Sequence, residues 1–77
     1  MPKPQSFTAW LKTQADRDSG IGDLARDVAR DPDWPSRRGR AGQRTYLEER
    51  GAIPAAIEML EDAWVRYEAY QAALGDD

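Results

Sequence analysis

The chain has no cysteine and no histidine. Without thiols there is neither a disulfide to staple the fold nor a thiolate metal site, and a reducing compartment is the natural setting. Without imidazole, the commonest acid–base catalyst near neutral pH and the commonest metal ligand are both missing. Only carboxylates, lysines, tyrosines and hydroxyls are left for chemistry. The three serines, Ser6, Ser19 and Ser36, sit where helix caps and turns need them. No P-loop and no dinucleotide fingerprint occurs. No apolar run approaches the roughly 18 to 20 residues of a membrane span, and the opening "MPKPQSF" lacks the apolar stretch of a secretory signal. A chain of 77 residues also has little volume for a substrate pocket. These absences predict a cytoplasmic, non-enzymatic protein with no membrane contact, cofactor, metal or small-molecule substrate.

What is present fits one small domain, residues 1–77 with a core over about 6–74. At this size folding hides only about 60% of the chain's surface, so stability is marginal and side-chain packing must supply it. Phe7, Trp10, Trp34, Tyr46, Trp64 and Tyr67 lead that packing. Apolar residues recur at helical spacing and nowhere alternate as a strand would. Ser6 is placed to cap a helix over about 7–14, and Asp18 or Ser19 to cap a second carrying Ile21, Leu24, Ala25 and Val28 on one stripe. Pro32 stops that helix and makes "DPDWP" a rigid corner. The stretch "SRRGRAGQR", residues 36–44, reads as a mobile loop entering a short helix over about 43–50, with Tyr46 and Leu47 inward and Gly51 in the left-handed closing position. A last helix runs from Pro54 to about Leu74, with Ile57, Leu60, Trp64, Tyr67, Gln71 and Leu74 as its seam and Gly75 as its stop. The expected architecture is all-α, a compact orthogonal bundle of four to five helices.

Two segments, "SFTAWLKTQADRDSGIGDLARDVARDPDWP" and "YLEERGAIPAAIEMLEDAWVRY", together resemble the YozE-like proteins. The likeness is carried by Phe7, Trp10 and Leu11, the "DRD" of residues 16–18, Ile21 to Ala25, Asp31 and Pro35, Tyr46 and Leu47, and Ala63, Trp64 and Tyr67. It covers about residues 6 to 67. The arginine- and glycine-rich 36–44 segment and the extension of the last helix past Tyr67 depart from the family's pattern. The resemblance implies a small bacterial domain with a sterile-alpha-motif-like bundle. It implies no assigned activity and no catalytic residue.

Several motifs hold both a bland and a sharp reading. "SGIGDLA" has the Gly-hydrophobic-Gly of a phosphate-binding hairpin, yet Asp16, Asp18 and Asp23 crowd the same helix start, and Arg26 stands where a small residue is usual. A structural turn is the better account. Asp16, Asp18 and Asp27 fall at positions 1, 3 and 12 of a calcium-loop register, but Gly20 supplies no oxygen at position 5 and Ile21 replaces the glycine of position 6. Trp34, clamped between prolines, reads as a lid over helix ends before it reads as a stacking platform.

Charge is the most function-like signal. Residues through Leu47 sum to +3 and the rest to −6, so a basic first half meets an acidic last helix. Arg37, Arg38, Arg40 and Arg44 form a local anion-binding surface or, equally, neutralise that helix. Glu58, Glu61 and Asp62 offer an acidic surface to a basic partner or to the arginines of a neighbouring copy. The leading expectation is therefore a module that binds another protein, or another copy of itself, through these seven residues. The alternative is nucleic-acid binding by the four arginines, aided by Lys3, Lys12 or Arg17.

Overall fold

The computed structural model describes residues 5–75. Four helices and no strand appear among them: α1 (Phe7–Lys12), α2 (Gly20–Arg30), α3 (Arg40–Glu49) and α4 (Pro54–Gly75). The all-α bundle read from the sequence is the one observed.

Each helix start has a local cause. The Ser6 hydroxyl accepts from the Ala9 N–H at 3.2 Å, and the Ser19 hydroxyl accepts from the Gly22 N–H at 3.4 Å, so both serines act as the caps their positions foretold. α1 is shorter than expected, because the chain leaves the helix in tight turns at Thr13 to Ala15. α2 stops at Arg30, one residue before Asp31 is pushed into extended backbone by Pro32. Gly51 has φ +74°, and the Ala52 N–H returns to Leu47 O at 3.0 Å, closing α3 as a left-handed glycine does. Pro54 opens α4, where its missing N–H costs nothing.

The 36–44 segment differs from its expectation. α3 begins at Arg40, about three residues earlier than the composition foretold, so Arg40 joins Arg44 on the helix and is not a member of a loose loop. Gly39 holds the cap position in extended backbone without a side-chain bond. What secures this entry is Gln43, described below.

α4 packs against the other three helices, and α1 against α2. Leu11, Ala25, Leu60 and Ala63 have no exposed surface, and Phe7, Ile21, Leu24 and Val28 close the core around them. The buried line on α4 is Leu60, Ala63 and Tyr67, with Ile57 and Trp64 half-buried. The expected seam ends early: Gln71 and Leu74 are exposed, because 22-residue α4 outruns three helices of 6, 11 and 10 residues. The helix runs to Gly75, the last residue described.

The aromatic side chains pair in two groups, Phe7, Trp10, Trp64, Tyr67 and Tyr70 in one and Trp34 with Tyr46 in the other. Phe7 stacks on Trp64 with centroids 4.1 Å apart and meets Tyr67 edge-on at 5.5 Å. Trp10 leans on Phe7, Tyr67 and Tyr70. Trp34 is buried, donates through Nε1 to Thr8 Oγ1 at 3.1 Å, and meets Tyr46 edge-on at 5.6 Å. Such geometry uses the ring quadrupoles and adds about 0.5–1.5 kcal/mol per pair beyond area burial. The lid reading of Trp34 is the observed one.

Candidate functional site

The opening turn of α2 is held by side-chain contacts to the backbone of the preceding turn. Arg26 reaches back from α2 and donates through Nη1 to Ala15 O at 2.6 Å and to Arg17 O at 3.3 Å, while Nη2 pairs with Asp23. The Arg17 carbonyl faces the Gly22 Cα so closely that a methyl group there would overlap it. Gly20 and Gly22 both lie inside α2, and among the described residues only Gly51 has positive φ. They are therefore glycines for close approach and not for the turn itself, as sequence had it. Arg26, the residue that broke the hairpin pattern, is the clamp that holds this corner. Asp16 and Asp18 lie on the exposed turn and Asp27 on the exposed face of α2, and no three metal-ligating side chains converge among the described residues.

The basic and acidic candidates meet inside one molecule. Arg40 pairs with Glu61 and lies 3.7 Å from Glu68. Arg44, one turn further along α3, is 3.6 Å from Glu61 and 3.4 Å from Glu48. Glu61 thus sits between two guanidiniums across the α3–α4 contact. Asp62 pairs with Arg66 on its own helix at 3.2 Å. Glu58, Arg37 and Arg38 are exposed and have no ion pair among the described residues. These pairs are largely solvated and contribute about 0–1 kcal/mol each. Their consequence is local neutrality: α3 presents Arg40 and Arg44 to α4, and of the four exposed arginines only Arg37 and Arg38 have no carboxylate partner among the described residues. Lys3 lies outside the described residues.

Beneath this surface is a residue that sequence reasoning missed. Gln43 has no exposed surface, and its Nε2 donates to Pro35 O at 3.3 Å and Arg38 O at 3.0 Å. Its Oε1 accepts from Trp64 Nε1 at 3.0 Å. One amide therefore ties the corner, the start of α3 and the middle of α4. Nothing in "RAGQRT" marks it, because all its partners are set by tertiary contact.

At the other end of the corner, Asp31 accepts from the Tyr46 hydroxyl and from the Asp33 N–H at 3.0 Å, with Arg50 3.9 Å away and stacked over the Tyr46 ring at 4.7 Å. The Tyr46 bond, chiefly, holds the Asp31 carboxyl below its ordinary pKa, against a smaller opposing effect of burial. Burial first and the carboxylate second raise the tyrosine. A carboxylate with a depressed folded pKa stabilises fully above its unfolded value, about 4, and the contribution fades as pH falls through the folded value. Asp31→Asn should therefore lower the urea midpoint at neutral pH, with the gap to wild type closing in strong acid. A gap that stays constant with pH would show that ionisation of Asp31 is irrelevant.

Between α4 and the α1–α2 layer runs a furrow made of adjoining hollows. The first, about 390 Å³, is lined by Trp10, Ile21 and Tyr70 with Arg17 and Arg66 at its edge. The next shares Arg17, Ile21 and Arg66 with it and reaches Gly20, Met59 and Asp62. A third, about 250 Å³, shares Gly20 and Met59 and continues to Leu24, Asp27 and Ile53. The last, about 260 Å³, shares Leu24 and Asp27 and ends at Asp31 and Trp34. Ile53 is 67% exposed, the most open of the large apolar side chains among the described residues. No helix among the described residues is long and apolar enough to cross a membrane.

A four-helix domain with filled core, internally matched charges and an open apolar furrow is a small helical domain of sterile-alpha-motif-like kind. A family model described as the YozE SAM-like fold matches residues 6–69, and the chain belongs to that family. Neither the curated proteins nor the solved structures compared with it gave a match.

Proposed function

We propose that the domain is a non-enzymatic protein-interaction module, and that it meets its partner along the furrow between α4 and α2. The observation that carries this reading is Ile53, a large apolar side chain left two-thirds in water beside Leu24, Ala56 and Met59. A domain of marginal stability gains by burying such a residue, and the contiguous apolar lining gives a partner side chain somewhere to go. The seven charged residues first favoured as the interface serve less well, because Arg40, Arg44, Glu61 and Asp62 already face partners within the chain. A photo-crosslinking residue placed at position 53 in the native host should yield a discrete protein adduct, whereas one at exposed Thr45 on α3 should not. Equal yields from the two positions would sink the reading.

Nucleic-acid binding through the arginines is weakened by the same pairing. Arg37 and Arg38 are the two guanidiniums of the cluster without a carboxylate among the described residues. Each phosphate neutralised contributes about −0.9 to the slope of log affinity against log salt, so two give a slope near −2. A titration of short duplex DNA across salt concentrations checks this. A slope near −4 would mean that Arg40 and Arg44 leave α4 for the phosphates.

A further inference from the structure

We infer that the partner on the furrow is a second copy of this chain, held in an antiparallel twofold pair; this rests on the interaction reading above. The furrow has two unlike ends. Asp23, Asp27 and Asp31 line one end with no arginine or lysine among its lining residues, and Arg17 and Arg66 line the other with no carboxylate. The middle, at Met59 and Asp62, is mixed, with Arg17 and Arg66 reaching it. Both ends carry hollows, two of about 250 and 260 Å³ at the acidic end and one of about 390 Å³ at the basic end. Ile53, two-thirds exposed, stands at the acidic end, and the hollow floored by Trp10, Ile21 and Tyr70 lies at the basic end.

A surface whose charge reverses along its length, with an exposed apolar side chain at one end and a hollow at the other, complements itself when turned by a half rotation. In a twofold pair the same patch serves on both copies, so every contact occurs twice. Rotation about the Met59–Asp62 midpoint sets each Ile53 against the other copy's aromatic-floored hollow. The same rotation sets Asp23 and Asp27 of each copy against Arg17 and Arg66 of the other. Arg66 exchanges an intrahelical pair with Asp62, and Asp23 a pair with Arg26, both solvated and weak, so little opposes the exchange. The two apolar sites, with opposed charges around them, supply contact and register.

The area sets the strength. From Ile53 to Tyr70 the furrow is about 25 Å long by helix rise, and a strip one helix wide covers about 250 Å² per copy in projection, about 500 Å² for the pair, which is below the roughly 1,200 Å² of standard specific interfaces and in the range of weak, transient contacts. The dimer is accordingly one that forms at high protein concentration and weakens with salt.

Sedimentation equilibrium of the full chain at low salt, up to millimolar protein, tests it. Wild type should approach the dimer mass. Asp23→Arg with Asp27→Arg should stay monomeric, and so should Arg17→Glu with Arg66→Glu. An equimolar mixture of the two variants should recover the dimer mass, because each reversed end then meets its complement. Circular dichroism establishes that each variant is folded. Should either fail to fold, dilution of isotope-labelled wild type gives the answer by NMR, with shifts confined to Ile53, Met59, Tyr70 and their neighbours. A wild type that is monomeric throughout, a mixture of folded variants that does not recover, or dilution shifts centred elsewhere would overturn the pair. A foreign adduct at position 53 with a monomeric wild type would leave the interaction reading standing and remove only the second copy.

Discussion

Gly22→Ala is expected to destabilise the domain by about 3 kcal/mol, lowering the thermal midpoint by about 15 °C. The added methyl group would overlap the Arg17 carbonyl oxygen, which is backbone and cannot rotate away. Relief requires the 13–19 turn to move off α2, which loosens both the Ser19 cap and the Arg26 bonds to Ala15 O and Arg17 O. Helix propensity works the other way, since alanine is favoured over glycine in a helix by up to about 1 kcal/mol, and the overlap has to outweigh it. Gly20→Ala provides the contrast. There the new methyl group meets only Met59, whose thioether is the far end of a flexible side chain, so that variant should lie within about 1 kcal/mol of wild type. Thermal unfolding followed by circular dichroism compares the two. Equal midpoints for the pair would mean that the Arg17 carbonyl yields as easily as the methionine.

These glycines show which parts of the chain are legible in one dimension. Caps and stops are local: Ser6, Ser19, Pro32, Gly51 and Pro54 act within a few residues of themselves, and each does what its position foretold. The α2 stripe of Ile21, Leu24, Ala25 and Val28 was equally plain, because a helix with one apolar face has only one way to hide it. Contacts between distant residues were not. The glycine pair was visible as a pair, but that one of them faces Met59 of α4 and the other the Arg17 backbone follows only from packing. The arginine run looked like a loop because its glycines and lack of apolar anchors break the helical pattern, whereas Arg40 and Arg44 lie one turn apart and share Glu61 of α4. For the candidate site the result was divided. The opposed charges were legible, and the sequence allowed for their cancelling in one molecule as well as between two. The furrow was not, since Ile53, Met59, Arg17 and Tyr70 share no spacing that sequence alone would join.

Gln43 is the residue on which the least visible part of this architecture depends, and Gln43→Ala should cost about 3–4 kcal/mol. A domain of this length is stable by roughly 4–12 kcal/mol in all, so the variant stands close to unfolding at body temperature if the domain lies at the lower end of that range. The loss has two parts, and they separate experimentally. Truncation leaves a void where no surface was exposed, and it strips the partner from the Arg38 carbonyl and the Trp64 indole, while Pro35 O keeps the Arg38 N–H at 3.1 Å. Gln43→Leu restores volume without restoring any bond. If polar satisfaction dominates, the leucine variant recovers less than half of the alanine loss, because each orphaned buried group still costs about 1–3 kcal/mol. Recovery beyond that would mark the void as the main term. Gln43→Glu sharpens the same point through charge. A carboxylate there accepts from Trp64 but faces the Pro35 and Arg38 oxygens, so it is held protonated and its folded pKa rises. With the folded state binding the extra proton, stability falls as pH rises from the unfolded value of about 4 up through the folded one. Urea midpoints of this variant should therefore decline from pH 4 toward neutrality relative to wild type, the reverse of the trend for a paired surface carboxylate such as Asp31.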